Sequence, residues 1–202
     1  MAFSILDGSA YFELTIPLDD FPQLLRVHMK ENPTTPQIES FGEELVRADF
    51  PVEKLPAFVT DVCEWAGKQG YRTLPGILKG NTPEKIRDAF RKASSRLALG
   101  RLDAALTEVT NLYNLDVSFA SKHLRFLRPD ICPVFDSILR DALPYPFIPR
   151  GYSAFAKDCA SLAKALMENQ IANPRRREAG AWFVADVEAA IYIFARRAME
   201  TV

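Results

Sequence analysis

The chain has 202 residues, 48% of them hydrophobic, enough to bury one large core or two small lobes sharing a cleft. No apolar run is long enough to span a bilayer, and residues 1–15 lack a basic stretch followed by an apolar one, so neither a membrane span nor export is expected. The net charge of −1 counts against a uniformly basic nucleic-acid binder.

In chain order, Tyr11 to Ile16 alternates and is rich in β-formers, which predicts one short strand. Amphipathic spacing then predicts helices near 20–31, 36–48, 53–68, 83–99 and 101–114, a central pair, and helices near 152–169 and 174–200. Prolines mark the joints, and Leu74-Pro75-Gly76-Ile77-Leu78-Lys79-Gly80 reads as a connecting turn. The expected fold is mainly α: a two-lobed helical arrangement around a helix–link–helix core, with the short N-terminal strand. Cys63, Cys132 and Cys159 are odd in number and set among apolar residues, so they read as reduced core thiols. With only His28 and His123 and no C-x-x-C, no metal and no cofactor are expected.

Charge is unevenly spread. Residues 1–64 contain 4 Lys+Arg against 12 Asp+Glu, a net of −8, which leaves 21 against 14, a net of +7, for residues 65–202. Residues 1–50 are therefore set apart as an acidic N-terminal segment, either a subdomain or a partner surface, and residues 51–202 as the main helical domain.

The central pair is the most informative stretch. Val117, Ala120, Leu124 and Leu127 form one helical face, and Lys122 lies on the other side, one turn from Ser118, Phe119, Arg125 and Phe126. Pro129 ends this helix, Ile131 to Phe135 reads as a short extended link, and Asp136 stands at the N-cap of a helix over 137–143. A lone helical lysine is ordinarily a solvated group and an aspartate before a helix ordinarily only a cap. Brought to one cleft, they suit a reaction at an anomeric carbon: an amine with its pKa lowered by burial is the nucleophile, and a fixed carboxylate stabilises positive charge on the sugar.

Phe119-Ala120-Ser121-Lys122-His123-Leu124-Arg125-Phe126 and Pro133-Val134-Phe135-Asp136-Ser137-Ile138-Leu139 resemble the core of the helix-hairpin-helix DNA glycosylase superfamily. The likeness is greatest to its bacterial and archaeal branch with the 8-oxoguanine glycosylase fold. It extends more weakly from Cys63-Glu64-Trp65 and Gly70-Tyr71-Arg72 to Val187-Glu188, over about residues 60 to 200. The resemblance implies a DNA glycosylase-like domain over 51–202, with Lys122 as Schiff-base nucleophile and Asp136 as catalytic carboxylate. It implies oxidised guanine as substrate, while bacterial relatives also remove hypermodified cytosines in phage defence. Two departures stand out: Asn111 to Asp116 lacks the glycines of the usual hairpin, and alignment on P-x-x-D puts the lysine position at Ser118. Lyase and hydrolase routes are therefore both open.

A base-excising enzyme must also hold an extruded base. Trp65, Tyr71 and Phe119 are the stacking candidates, with Tyr145 and Phe147 in the later proline-rich connector. Glu188 is a further substrate-binding candidate, because Asp186 and Glu188 lie too close in an apolar helix to share one polar face. Phosphate contacts are expected from Lys79, Lys85, Arg91, Lys92, Arg125, Arg128 and the run Arg175-Arg176-Arg177. DNA is the expected partner, and a cytoplasmic monomer the expected form. The alternatives are a DNA-binding relative without catalysis and a helical module that binds a protein through its acidic first third.

Overall fold

A computed structural model describes residues 4–6, 9–11 and 15–200. Three short strands, β1 (Ser4–Leu6), β2 (Ser9–Tyr11) and β3 (Thr15–Pro17), form an antiparallel sheet in that order, with Ser4 opposite Tyr11 and Ala10 opposite Ile16. The two ends of the strand expected over Tyr11–Ile16 thus belong to successive antiparallel strands, and residues 12–14 lie outside the described residues. Every regular element after β3 among the described residues is helical, so the fold is mainly α as expected. The helices are α1 (Phe21–Glu31), α2 (Thr35–Arg47), α3 (Leu55–Trp65), α4 (Lys68–Gly80), α5 (Pro83–Ala98), α6 (Leu102–Thr110), α7 (Val117–Leu127), α8 (Ser137–Ala142), α9 (Pro149–Glu168) and α10 (Val184–Glu200). Among the described residues, no helix is long and apolar enough to cross a membrane.

The acidic N-terminal segment is built into the main body. Phe21, Leu24, Leu25 and His28 make the buried stripe of α1, which lies along α10, and these apolar residues join the same core as α3, α7 and α9. Its acidic side chains among residues 15–50 face outward or are consumed by ion pairs.

Helix α4 departs from the expected turn. Proline and glycine in 74–80 predict a break, but Pro75 sits inside a continuous helix, one turn after Tyr71. Its glycines serve close contact: a Cβ on Gly70 would stand 1.7 Å from the Cys63 carbonyl oxygen, so α4 packs directly on the backbone of α3. The last helix also differs, beginning at Val184 and not at 174. The Asn173 side-chain oxygen accepts from the Arg175 N–H at 2.9 Å, closing a local turn there, and residues 174–183 run irregularly before the Asp186 carboxylate accepts from the Phe183 N–H.

Helix α7 is enclosed on every side, with each residue from Phe119 to Leu127 buried. A Cβ at Gly42 of α2 would fall 2.0 Å from the Phe126 carbonyl oxygen, so only glycine lets α2 approach this closely. The chain enters α7 through residues 111–116. There Asn114 takes the left-handed conformation (φ 65°) that a glycine would adopt more easily, and the Asp116 carboxylate caps α7 by accepting from the Phe119 N–H at 3.0 Å.

Candidate active site

Lys122 is 7% exposed, not the solvated group that a lone helical lysine suggests. Its Nζ donates to the Ser118 hydroxyl at 2.8 Å and lies 5.3 Å from the centroid of the Phe119 ring. The Asp136 Oδ2 is 4.0 Å away. Burial drives the lysine pKa down, against the opposing pull of Asp136 and Glu188.

Three local devices set this geometry. The Asp136 Oδ1 accepts from the Ile138 and Leu139 N–H groups at 3.1 and 3.2 Å, capping α8 and turning Oδ2 toward the lysine. The Ser121 hydroxyl accepts from the Phe135 N–H at 2.9 Å, pinning the extended link to α7. On the other side, Glu188 Oε2 accepts from the Val134 N–H at 3.2 Å, pinning the link to α10.

Lys122, Asp136 and Glu188 line a common cavity of about 280 Å³, close to the lower end of the range for small-ligand sites. Trp65 forms another wall, and Val134 and Tyr192 contribute further surface. From α1 and the residue that caps its C-terminus come His28, Glu31 and Asn32, and from α10 Arg196, which pairs with Glu31 at 2.8 Å. Burial, reinforced by Arg125, Arg175 and Arg196, pushes the His28 pKa down to about 3, so its ring is neutral. Burial pushes the Glu188 carboxyl up to about 8, with Arg125 opposing and Asp136 adding to the rise. The cavity therefore offers an amine, a carboxylate, a protonated carboxyl and a neutral imidazole beside an indole face.

The other expected site residues divide. Phe119 is buried beneath Lys122 but belongs to a separate groove with Gln69, Thr73 and Asn114. Tyr71 is 58% exposed on α4 and does not line the cavity. Tyr145 and Phe147 are absorbed by packing: the Tyr145 hydroxyl donates to Asp158 at 2.7 Å, and Phe147 lies 5.2 Å from the Phe135 ring.

Three of the expected phosphate contacts need correction. Arg125 is 1% exposed and pairs with Glu39 at 2.7 Å. Arg177 bridges Glu39 at 2.7 Å and Asp186 at 2.9 Å, and the Arg175 Nε lies 3.0 Å from Asp186. These three arginines are consumed inside the protein by Glu39 and Asp186 and are not a DNA footprint. Arg128 is half-buried and forms a bidentate pair with Asp130, while Arg176 is exposed. Arg91 pairs with Asp49 at 2.9 Å. Lys85 and Lys92 line a shallow groove on α5.

The sequence reading did not assign His28 or Tyr192 to the site. The available signal was a polar ring at a core position: His28 follows Leu24 by one turn on the buried stripe of α1. No protein-family model, curated protein or solved structure matches this chain.

Proposed function

We propose that the protein is a DNA glycosylase that removes a damaged or modified base through Lys122 and Asp136. The observation that carries this reading is the Lys122 Nζ standing 4.0 Å from the Asp136 Oδ2 in a cavity walled by Trp65. An amine in this setting is held toward its neutral, nucleophilic form. It attacks C1′ of an extruded nucleotide as the bond from C1′ to the base breaks, and the proton released by the new C1′–N bond passes to Asp136. The carboxylate also stabilises the positive charge that develops on the deoxyribose. Trp65 supplies a face on which the flipped base stacks. Oxidised guanine and hypermodified cytosine are the substrates to test first, the second in the context of phage defence.

Borohydride trapping on a panel of modified duplexes tests the reading. A covalent adduct with wild type that disappears in Lys122→Ala establishes the amine route. Base release without an adduct assigns the attack to a water oriented by Asp136. Intact bases and no adduct across the panel would sink the glycosylase reading.

A further inference from the structure

A base that leaves C1′ takes the bonding electron pair with it, and a neutral base departs readily only if a proton arrives as the bond breaks. Lys122 is committed as the nucleophile and Asp136 as its proton acceptor. Arg196 is a guanidinium held by Glu31, and His28 carries no proton to give as a cation near neutral pH. Glu188 is left. Its Oε2 is occupied by the Val134 N–H, Oε1 has no hydrogen bond among the described residues, and the residue lines the cavity. The residue is 4% exposed.

We propose that Glu188 is the acid that protonates the departing base, an inference that rests on the glycosylase reading above. As the Lys122 nitrogen bonds to C1′, the C1′–base bond breaks and its electron pair moves onto the base. The Glu188 O–H bond breaks in concert, its proton goes to a ring or carbonyl heteroatom of the base, and Glu188 is left as a carboxylate. That carboxylate is met by the buried cluster behind it. Among the described residues, Arg125, Arg175 and Arg177 pair with two carboxylates, Glu39 and Asp186, three cations against two anions. Of these cations, Arg125 acts directly on Glu188.

The groups around the carboxyl agree with a proton donor. Lys122 and Arg125 face it from α7 and favour its anion, Asp136 at the end of the link disfavours it, and the Tyr152 hydroxyl and Cys159 thiol on α9, like Tyr192 on its own helix, are uncharged near neutrality. Burial decides the balance, and the proton stays bound up to about pH 8.

The test compares wild type with Glu188→Gln in single-turnover base release from two duplexes. One carries 8-oxoguanine, which needs a proton to leave, and the other 7-methylguanine, already cationic, which does not. The variant is expected to lose roughly 10²- to 10⁴-fold on the first and only a few-fold on the second. The wild-type rate on 8-oxoguanine should fall above about pH 8, and this limb should vanish in the variant. Equal losses on both duplexes, or an unchanged limb, overturn the proposal while leaving the glycosylase reading intact. Two measurements are independent of base release. Carbon-13 NMR of glutamate carboxyls should show one resonance titrating near pH 8 that is missing from Glu188→Gln, and a Glu188 already ionised at pH 6 overturns the proposal. Borohydride trapping on a duplex with a preformed abasic site should lose far less in Glu188→Gln than base release from 8-oxoguanine does, because no base has to leave. Its absence in wild type, together with no base release, would defeat the underlying reading instead.

Discussion

Lys122 and Arg125 lie three residues apart on α7, and both are buried, yet they meet opposite surroundings. Arg125 belongs to a cluster in which Glu39 and Asp186 are held at 2.7 to 3.0 Å by arginines from α7 and the loop before α10. Although burial pushes its carboxyl up, Arg125 and Arg177 hold Glu39 below the ordinary range. Lys122 faces a cavity, with one hydroxyl at hydrogen-bond distance and its carboxylate at 4.0 Å. Close pairing fixes α2, α7 and α10 relative to one another, whereas loose pairing leaves reactive groups with capacity to engage something else. A buried group with incomplete partners is thermodynamically expensive, and such groups concentrate where chemistry occurs.

The two regions should respond differently to mutation. Asp186→Ala removes the anion between Arg175 and Arg177 and is expected to cost about 3–5 kcal/mol, read from the urea midpoint. A loss under 1 kcal/mol would mean that the cluster does not hold the helices. Asp136→Asn should slow base release by roughly 10²- to 10⁴-fold with little change in stability, because asparagine caps a helix about as well as aspartate. Finding the variant unfolded, or fully active, would move Asp136 to the structural side of the comparison.

The cavity should also leave a pH signature in stability. Glu188 keeps its proton up to about pH 8 when folded, against 4.5 in its ordinary state, so the folded chain binds a proton that the unfolded chain has released. Stability therefore falls as pH rises through that window, by up to about 1.4 kcal/mol per unit. His28 acts oppositely, being about 3 when folded against 6.5, so its contribution is lost as pH falls from 6.5 toward 3. Between pH 6.5 and 8 only Glu188 acts in this pair, and Glu188→Gln should flatten the decline in urea midpoint there. An equally steep decline in the variant would contradict a protonated carboxyl.

Smaller effects sharpen the contrast. Lys122→Met removes a buried amine whose desolvation is not fully offset by its partners and is expected to gain about 1 kcal/mol in chemical denaturation. A loss of more than 2 kcal/mol would place Lys122 with the structural cluster. Arg128→Ala breaks a partly exposed pair and should change stability by less than about 1 kcal/mol. If Arg128 contacts phosphate, the same variant lowers the salt slope of DNA binding by about 1.

Sequence exposed the features governed by local rules. Pro129 after α7 and Asp136 before α8 are short-range signals, and the helix–link–helix lies where they put it. Local rules failed where distant contacts decide the outcome. The glycines of α4 resemble a turn until Cys63 is placed against Gly70, and the arginine run resembles a basic surface until Glu39, 138 residues from Arg177, is placed beside it. His28 and Glu188 were intermediate cases: polar groups on stripes that should be apolar, detectable as anomalies but not assignable to a shared cavity until α1 is laid against α10.

The Asp136 carboxylate has one oxygen in a helix cap and the other toward the amine. Its aim is thus tied to the integrity of α8, a helix of only six residues. Fraying of that first turn would let the carboxylate rotate, so transient melting of a short element elsewhere unremarkable would act as a brake on turnover. Warming should then depress activity before global unfolding begins, and a sequence change that strengthens α8 should extend the working temperature without touching the cavity.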